Sequence, residues 1–105
     1  MKILLLTDDL MSRVRIESRW KVAGAQLLTD RAAADADLIV VDLGARGALE
    51  RIRSLREAYP AMEILAFGPH VDADRFREAK AAGATQLVAR GAVTDKVLTR
   101  IAARA

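Results

Sequence analysis

The sequence predicts an α/β fold, a doubly wound sheet of five parallel strands with helices on both faces. Two observations carry this. Short apolar runs of strand length recur, each followed by residues at helical spacing, so strand and helix alternate five times. The runs are also apolar at successive rather than alternate positions, which marks strands covered on both sides, as in a parallel sheet. The 105 residues suit one domain, and no linker interrupts them. A chain of this length can bury a core without covalent staples.

Ile3 to Leu6 is the first strand. Ile16, Trp20 and Ala23 then fall on one helical stripe, and Gly24 suits the left-handed end of that helix. Gln26 to Leu28 is a short second strand, and Arg31 to Ala36 leaves room only for a stub of helix. Leu38 to Val41 is the clearest buried strand, closed by Asp42. Leu49, Ile52, Leu55 and Tyr59 mark the next helix, which Pro60 stops. Ile64 to Phe67 is the fourth strand, and Gly68-Pro69 turns the chain. Asp72 or Asp74 caps a helix that faces inward through Phe76 and Ala79 and ends at Gly83. Gln86 to Ala89 is the last strand. Thr94 is expected to cap a final helix carrying Val97, Leu98 and Ile101. The phrases "AGAQL" at 23–27 and "AGATQL" at 82–87 read as one helix-to-strand turn used twice.

Composition removes several functions. There is no cysteine, so disulfides, thiolate metal sites and cysteine nucleophiles are excluded. Lys2 and the apolar residues after it run into Asp8 and Asp9, which reads as a strand rather than a secretion signal. No apolar run approaches the length of a membrane span. A cytoplasmic protein with no membrane partner is expected. The net charge is +3, but the basic residues are spread over every helix. The densest group, Arg51, Arg53 and Arg56, is flanked by Glu50 and Glu57 and reads as a solvated helix face. Trp20, Tyr59, Phe67 and Phe76 are scattered rather than interleaved with the basic residues, which disfavours nucleic acid. Trp20 belongs to the core, and Thr7 and Ser12 read as strand and helix surface.

The chemistry concentrates in acids. Asp8 and Asp9 end the first strand and Asp42 ends the third. With strand order 2-1-3-4-5 these strands are neighbours, and all three carboxylates meet outside the sheet's carboxyl edge, where such folds bind ligands. Two unit charges about 4 Å apart repel by about 4 kcal/mol at an effective dielectric near 20, so the crevice calls for a counter-charge. Arg90, beyond the fifth strand, supplies one. A hard divalent cation supplies more, and Mg²⁺ suits a site of few carboxylates and several waters. Taken singly, each Asp is better explained as a helix cap or turn residue; three at the ends of two adjacent strands reverse that preference.

The stretches "TDDLMSRVR", "IVVDL" and "REAKAAGATQLVARG", with the five-fold alternation, resemble the receiver domain of bacterial response regulators over almost the whole chain. The resemblance implies the flavodoxin-like receiver fold and a stand-alone module of two-component, phosphorelay signalling. It implies that Asp42 accepts a phosphoryl group from a histidine kinase. It also implies that Asp8, Asp9, Asp42 and the backbone carbonyl of Gly44 hold Mg²⁺, and that Arg90 contacts the phosphoryl group. Such a protein is not an enzyme beyond Mg²⁺-assisted self-phosphorylation and autodephosphorylation. Its partners would dock on the face of the fourth helix, fifth strand and fifth helix. Here that face carries Arg77, Lys80, Lys96 and Arg100, which suits an acidic partner or a homodimer.

Several positions depart from the family. Gly68 stands where a Thr or Ser hydroxyl is expected, and Arg90-Gly91 where Lys-Pro is usual; Arg keeps the charge but not the shape. Leu87 replaces the switching aromatic, the loop "LGARG" is short and lacks the usual proline, and the second helix is truncated. The acid pocket is retained while the hydroxyl-to-aromatic readout is not. The alternative is therefore a phosphorylation-independent pseudo-receiver that works by binding proteins. His70, the only histidine, falls at the mouth of the crevice or on a surface loop. A flavin protein would need hydroxyls rather than acids after the first strand, a nucleotide enzyme a glycine-rich loop, and a magnesium phosphatase a substrate pocket; none is evident.

Overall fold

A computed structural model describes residues 1–69 and 72–104, and the expectation for His70 lies outside them. Five parallel strands form one sheet in the order β2-β1-β3-β4-β5. They are β1 (Lys2–Leu6), β2 (Gln26–Leu27), β3 (Leu38–Asp42), β4 (Ile64–Gly68) and β5 (Gln86–Ala89). Four helices flank them: α1 (Leu10–Val22), α2 (Ala48–Ala58) and α3 (Ala73–Ala82) between strands, and α4 (Val93–Arg104) after β5. The second crossover is a 3₁₀ segment, Asp30–Asp35, as the short stretch allowed.

Side chains alternate across a strand, so each central strand feeds two cores. Leu4, Leu6, Ile39, Val41, Ile64 and Ala66 pack beneath α2 and α3, with Ile52, Leu55 and Ala79. Ile3, Leu5, Leu38, Val40, Leu65 and Phe67 face α1 and α4, with Ile16, Trp20, Val97 and Ile101. This double burial explains why the runs show no polar alternation. Trp20 is wholly buried, and its indole N–H donates to the Thr94 carbonyl at 3.2 Å.

The repeated phrase is a repeated turn. Ala25 N–H bonds the Trp20 carbonyl and Gly24 N–H that of Lys21; Ala84 and Gly83 do the same with Ala79 and Lys80. Both glycines have positive φ, +104° and +127°, as this helix-ending motif requires.

Three local expectations need correction. Ala23 is the exposed end of α1 and not part of its buried stripe. Thr94 lies inside α4, because a 3₁₀ turn over Arg90–Ala92 starts the helix at Val93. Arg56 is not a solvated residue: its guanidinium donates to the carbonyls of Gly83, Tyr59 and Pro60, tying α2 to the turn before β5.

Candidate functional site

Asp42 is the last residue of β3, and strands lie on either side of it. Leu6 pairs with Val41, so Thr7 follows level with Asp42 on the β1 flank; on the other flank Asp42 pairs with Phe67, one residue before Gly68. Asp42 is only 4% exposed. A carboxylate in that position must be compensated by donors. Oδ1 accepts from Gly44 N–H at 2.8 Å and from the Arg90 guanidinium at 2.7 Å, and Oδ2 accepts from the Thr7 hydroxyl at 2.7 Å. Arg90 reaches inward from the turn after β5, its guanidinium carbon 5.2 Å from the centre of the Phe67 ring. The ring's negative face helps hold the cation over the crevice. A Cβ on Gly44 would stand 3.2 Å from Asp42 Oδ1 and 3.3 Å from Arg90, so the close approach favours glycine.

The two acids after β1 do different work. Asp9 caps α1: Oδ1 accepts from the N–H groups of Met11 and Ser12, and Oδ2 from the Ser12 hydroxyl at 2.7 Å. The Ser12 hydroxyl, joined by those amides, holds the Asp9 carboxyl below the usual carboxylate range. Asp8 is exposed and accepts from Arg46 N–H at 2.7 Å, pinning the loop after β3 to the end of β1.

Asp8, Asp9, Ser12, Asp42, Gly44 and Arg90 line one crevice of about 500 Å³. Every residue singled out as a site candidate is therefore on its walls. The carboxylates line the crevice without closing on a point: among the described residues, no three acidic or histidine side chains form a ready metal cluster. The donor set nonetheless suits Mg²⁺ chemically, being hard oxygens with unused lone pairs. Asp8, Asp9, Asp42 and the Gly44 carbonyl would hold the ion, in competition with the protein donors that now engage the acids.

Sequence reasoning missed Thr7 and Ser12. Thr7 is buried against Asp42, and its hydroxyl also accepts from Asp9 N–H at 3.2 Å. The signal was the strand register, which sets the residue before the acid pair beside Asp42. Arg13 and Arg75 were missed as well; they donate to the carbonyls of Thr7 and Leu43, the chain neighbours of Asp8 and Asp42. Gly68 offers no side chain, and Leu87 is half-buried against the core under α2 and α3.

No protein-family model matches the sequence, and the comparison with curated proteins finds no match. Solved structures do match. The chemotaxis protein CheY4 of Vibrio cholerae superposes with TM-score 0.80 at 21% identity, over 97% of this chain and 96% of that one. A response regulator receiver domain protein from Clostridium thermocellum gives 0.80 at 17%, over 97% and 91%. The receiver domain of NtrX from Brucella abortus gives 0.77 at 20%, over 97% and 95%. The chain has the receiver-domain fold. Asp42 thus stands at the carboxyl end of the central strand of a receiver fold, with β1 and β4 on its flanks. The basic face of that fold is partly neutralised: Arg77 pairs with Asp74, and Arg100 with Glu63. No helix among the described residues is long and apolar enough to cross a membrane.

Proposed function

We propose that the chain is a receiver in phosphoryl-transfer signalling, with Asp42 as the acceptor. One observation supports this above the rest. The one buried carboxylate among the described residues, at the carboxyl end of the central strand, opens on a crevice with a guanidinium and an amide N–H on one oxygen. An Asp42 oxygen attacks phosphorus, the new O–P bond forms, and the bond from phosphorus to the donor breaks, its electron pair leaving with the donor. Arg90 and the Gly44 amide are placed to neutralise charge gathered on the phosphoryl oxygens. Mg²⁺, when bound, would further offset the phosphoryl charge.

The donor would be a phosphohistidine of a kinase, and α3, β5 and α4 the face offered to signalling partners. Lys80 and Lys96 leave it basic, consistent with an acidic partner or a second copy. A second reading has its own observation. Both Asp42 oxygens and both Asp9 oxygens are already engaged by protein donors, which is how a pseudo-receiver that binds proteins without phosphorylation would hold them.

Intact-mass measurement after incubation with acetyl phosphate and Mg²⁺ separates the two. The receiver reading expects one added phosphoryl group on the wild-type chain and none on Asp42→Asn. An unmodified wild-type chain under conditions that phosphorylate a known receiver leaves the pseudo-receiver.

A further inference from the structure

We infer that Thr7 is the positioning residue through which the state of Asp42 reaches the rest of the molecule. The hydroxyl absent from β4 at Gly68 is replaced in function by one on the opposite flank. This inference rests on the receiver reading and concerns how the acceptor is read out.

Three observations carry it. Thr7 is the sole protein donor to Asp42 Oδ2 among the described residues, at 2.7 Å, and it is buried. Gly68, on the β4 flank, has no hydroxyl, so Thr7 supplies the only side-chain hydroxyl bonded to Asp42 among the described residues. Thr7 is also tied to α1 at two atoms: its Oγ1 accepts from Asp9 N–H at 3.2 Å, and its carbonyl accepts from Arg13 at 3.1 Å. Asp9 in turn caps α1.

The chemistry follows from the acceptor. A carboxylate oxygen with full charge accepts strongly from a hydroxyl. Once Asp42 is phosphorylated its carboxyl is part of an acyl phosphate and its own oxygens carry little charge, while the phosphoryl oxygens beside them carry much. The Thr7 hydroxyl is then drawn from Oδ2 toward a charged phosphoryl oxygen, and its bond from Asp9 N–H changes with it. The responding element is the first two turns of α1, where Leu10, Met11 and Val14 are 70%, 80% and 58% exposed. The readout leaves through β1 and α1 rather than through β4 and β5.

Amide spectra recorded in saturating Mg²⁺, before and after addition of beryllium fluoride as the phosphoryl mimic, test this on the wild-type chain, Thr7→Val and Thr7→Ser, so that shifts caused by Mg²⁺ at Asp9 are not counted. In the wild type, shifts are expected at Asp42 to Arg46 and, beyond the crevice, through Thr7 to Val14. Thr7→Val keeps the shifts at Gly44 and Arg90 and loses most of those from Leu10 to Val14; Thr7→Ser restores them. Shifts in α1 that survive in Thr7→Val, or wild-type shifts that bypass α1 for α3 and β5, overturn the inference alone. Should Thr7→Val not fold, the wild-type map decides on the same criterion. No response in the wild type overturns the receiver reading and this inference with it.

Discussion

The Thr7 hydroxyl donates to Asp42 Oδ2 at 2.7 Å across the ends of β1 and β3, and both residues are buried. A hydrogen bond to a charged acceptor contributes about 1.5–3 kcal/mol to stability, more than a neutral pair. Thr7→Val keeps the side chain's shape and removes only the donor. We expect it to lower unfolding stability by about 2 kcal/mol, read from the urea midpoint, with Thr7→Ser close to wild type. An unchanged midpoint in Thr7→Val would show that the bond adds no stability.

Gly68 can accept a hydroxyl. A Cβ there would meet Leu43 at 3.5 Å and Phe76 at 3.6 Å, which is ordinary contact, and its φ is not in the left-handed region. Gly68→Ser should fold with a stability change within about 1 kcal/mol, since removing a strand glycine also lowers the entropy of the unfolded chain. The added hydroxyl should prolong the phosphorylated state of Asp42, measured as a slower decay of the modified mass. A faster decay would count against a phosphoryl group beside β4.

Ser12 sets the acid behaviour of Asp9. Because the folded state holds the Asp9 carboxyl below the ordinary aspartate range, the linked stability is present above that range and is lost as pH falls through the lower folded value. Ser12→Ala removes the largest cause. The Asp9 carboxyl carbon should then titrate at higher pH, and the acid limb of the stability curve should begin at higher pH. The same change frees an oxygen for Mg²⁺ and should tighten its binding, checked by titration of the chain with the ion. Weaker Mg²⁺ binding in Ser12→Ala would show that the hydroxyl does not compete.

The two helix-ending glycines differ in surroundings. At Gly24 an added Cβ meets nothing within 4 Å, whereas at Gly83 it would lie 2.7 Å from Arg56 Cβ. Gly24→Ala should cost about 1 kcal/mol for the left-handed backbone alone. Gly83→Ala should cost about 2 kcal/mol or more, because Arg56 must also move and it bonds the Gly83 carbonyl at 2.7 Å. Equal melting temperatures for the two variants would contradict this.

The elements were legible where the signal is local. Runs such as Leu38 to Val41, the helix ends at Gly24 and Gly83, and the stop at Pro60 depend on neighbours in sequence. The order of the strands was a condition of the reading and not a local signal; the structure has that order, and with it Asp8, Asp9 and Asp42 line one edge. What the sequence hid depends on register and side-chain direction. Thr7 reads as one more strand residue until Leu6 is paired with Val41. Ser12 reads as helix surface until its hydroxyl is seen to turn back to Asp9. Arg56 reads as part of a charge run, yet its long side chain ends on carbonyls beyond the helix. Thr94 looked like a cap because a three-residue 3₁₀ turn gives no apolar pattern of its own.

The most direct measurement of the central claim is a ¹⁹F spectrum of the chain with beryllium fluoride, with and without Mg²⁺. If Asp42 is the acceptor, a bound fluoride signal appears with the wild-type chain, strengthens with Mg²⁺ and vanishes in Asp42→Asn. A wild-type chain that shows no bound signal, or an Asp42→Asn chain that keeps it, contradicts the account.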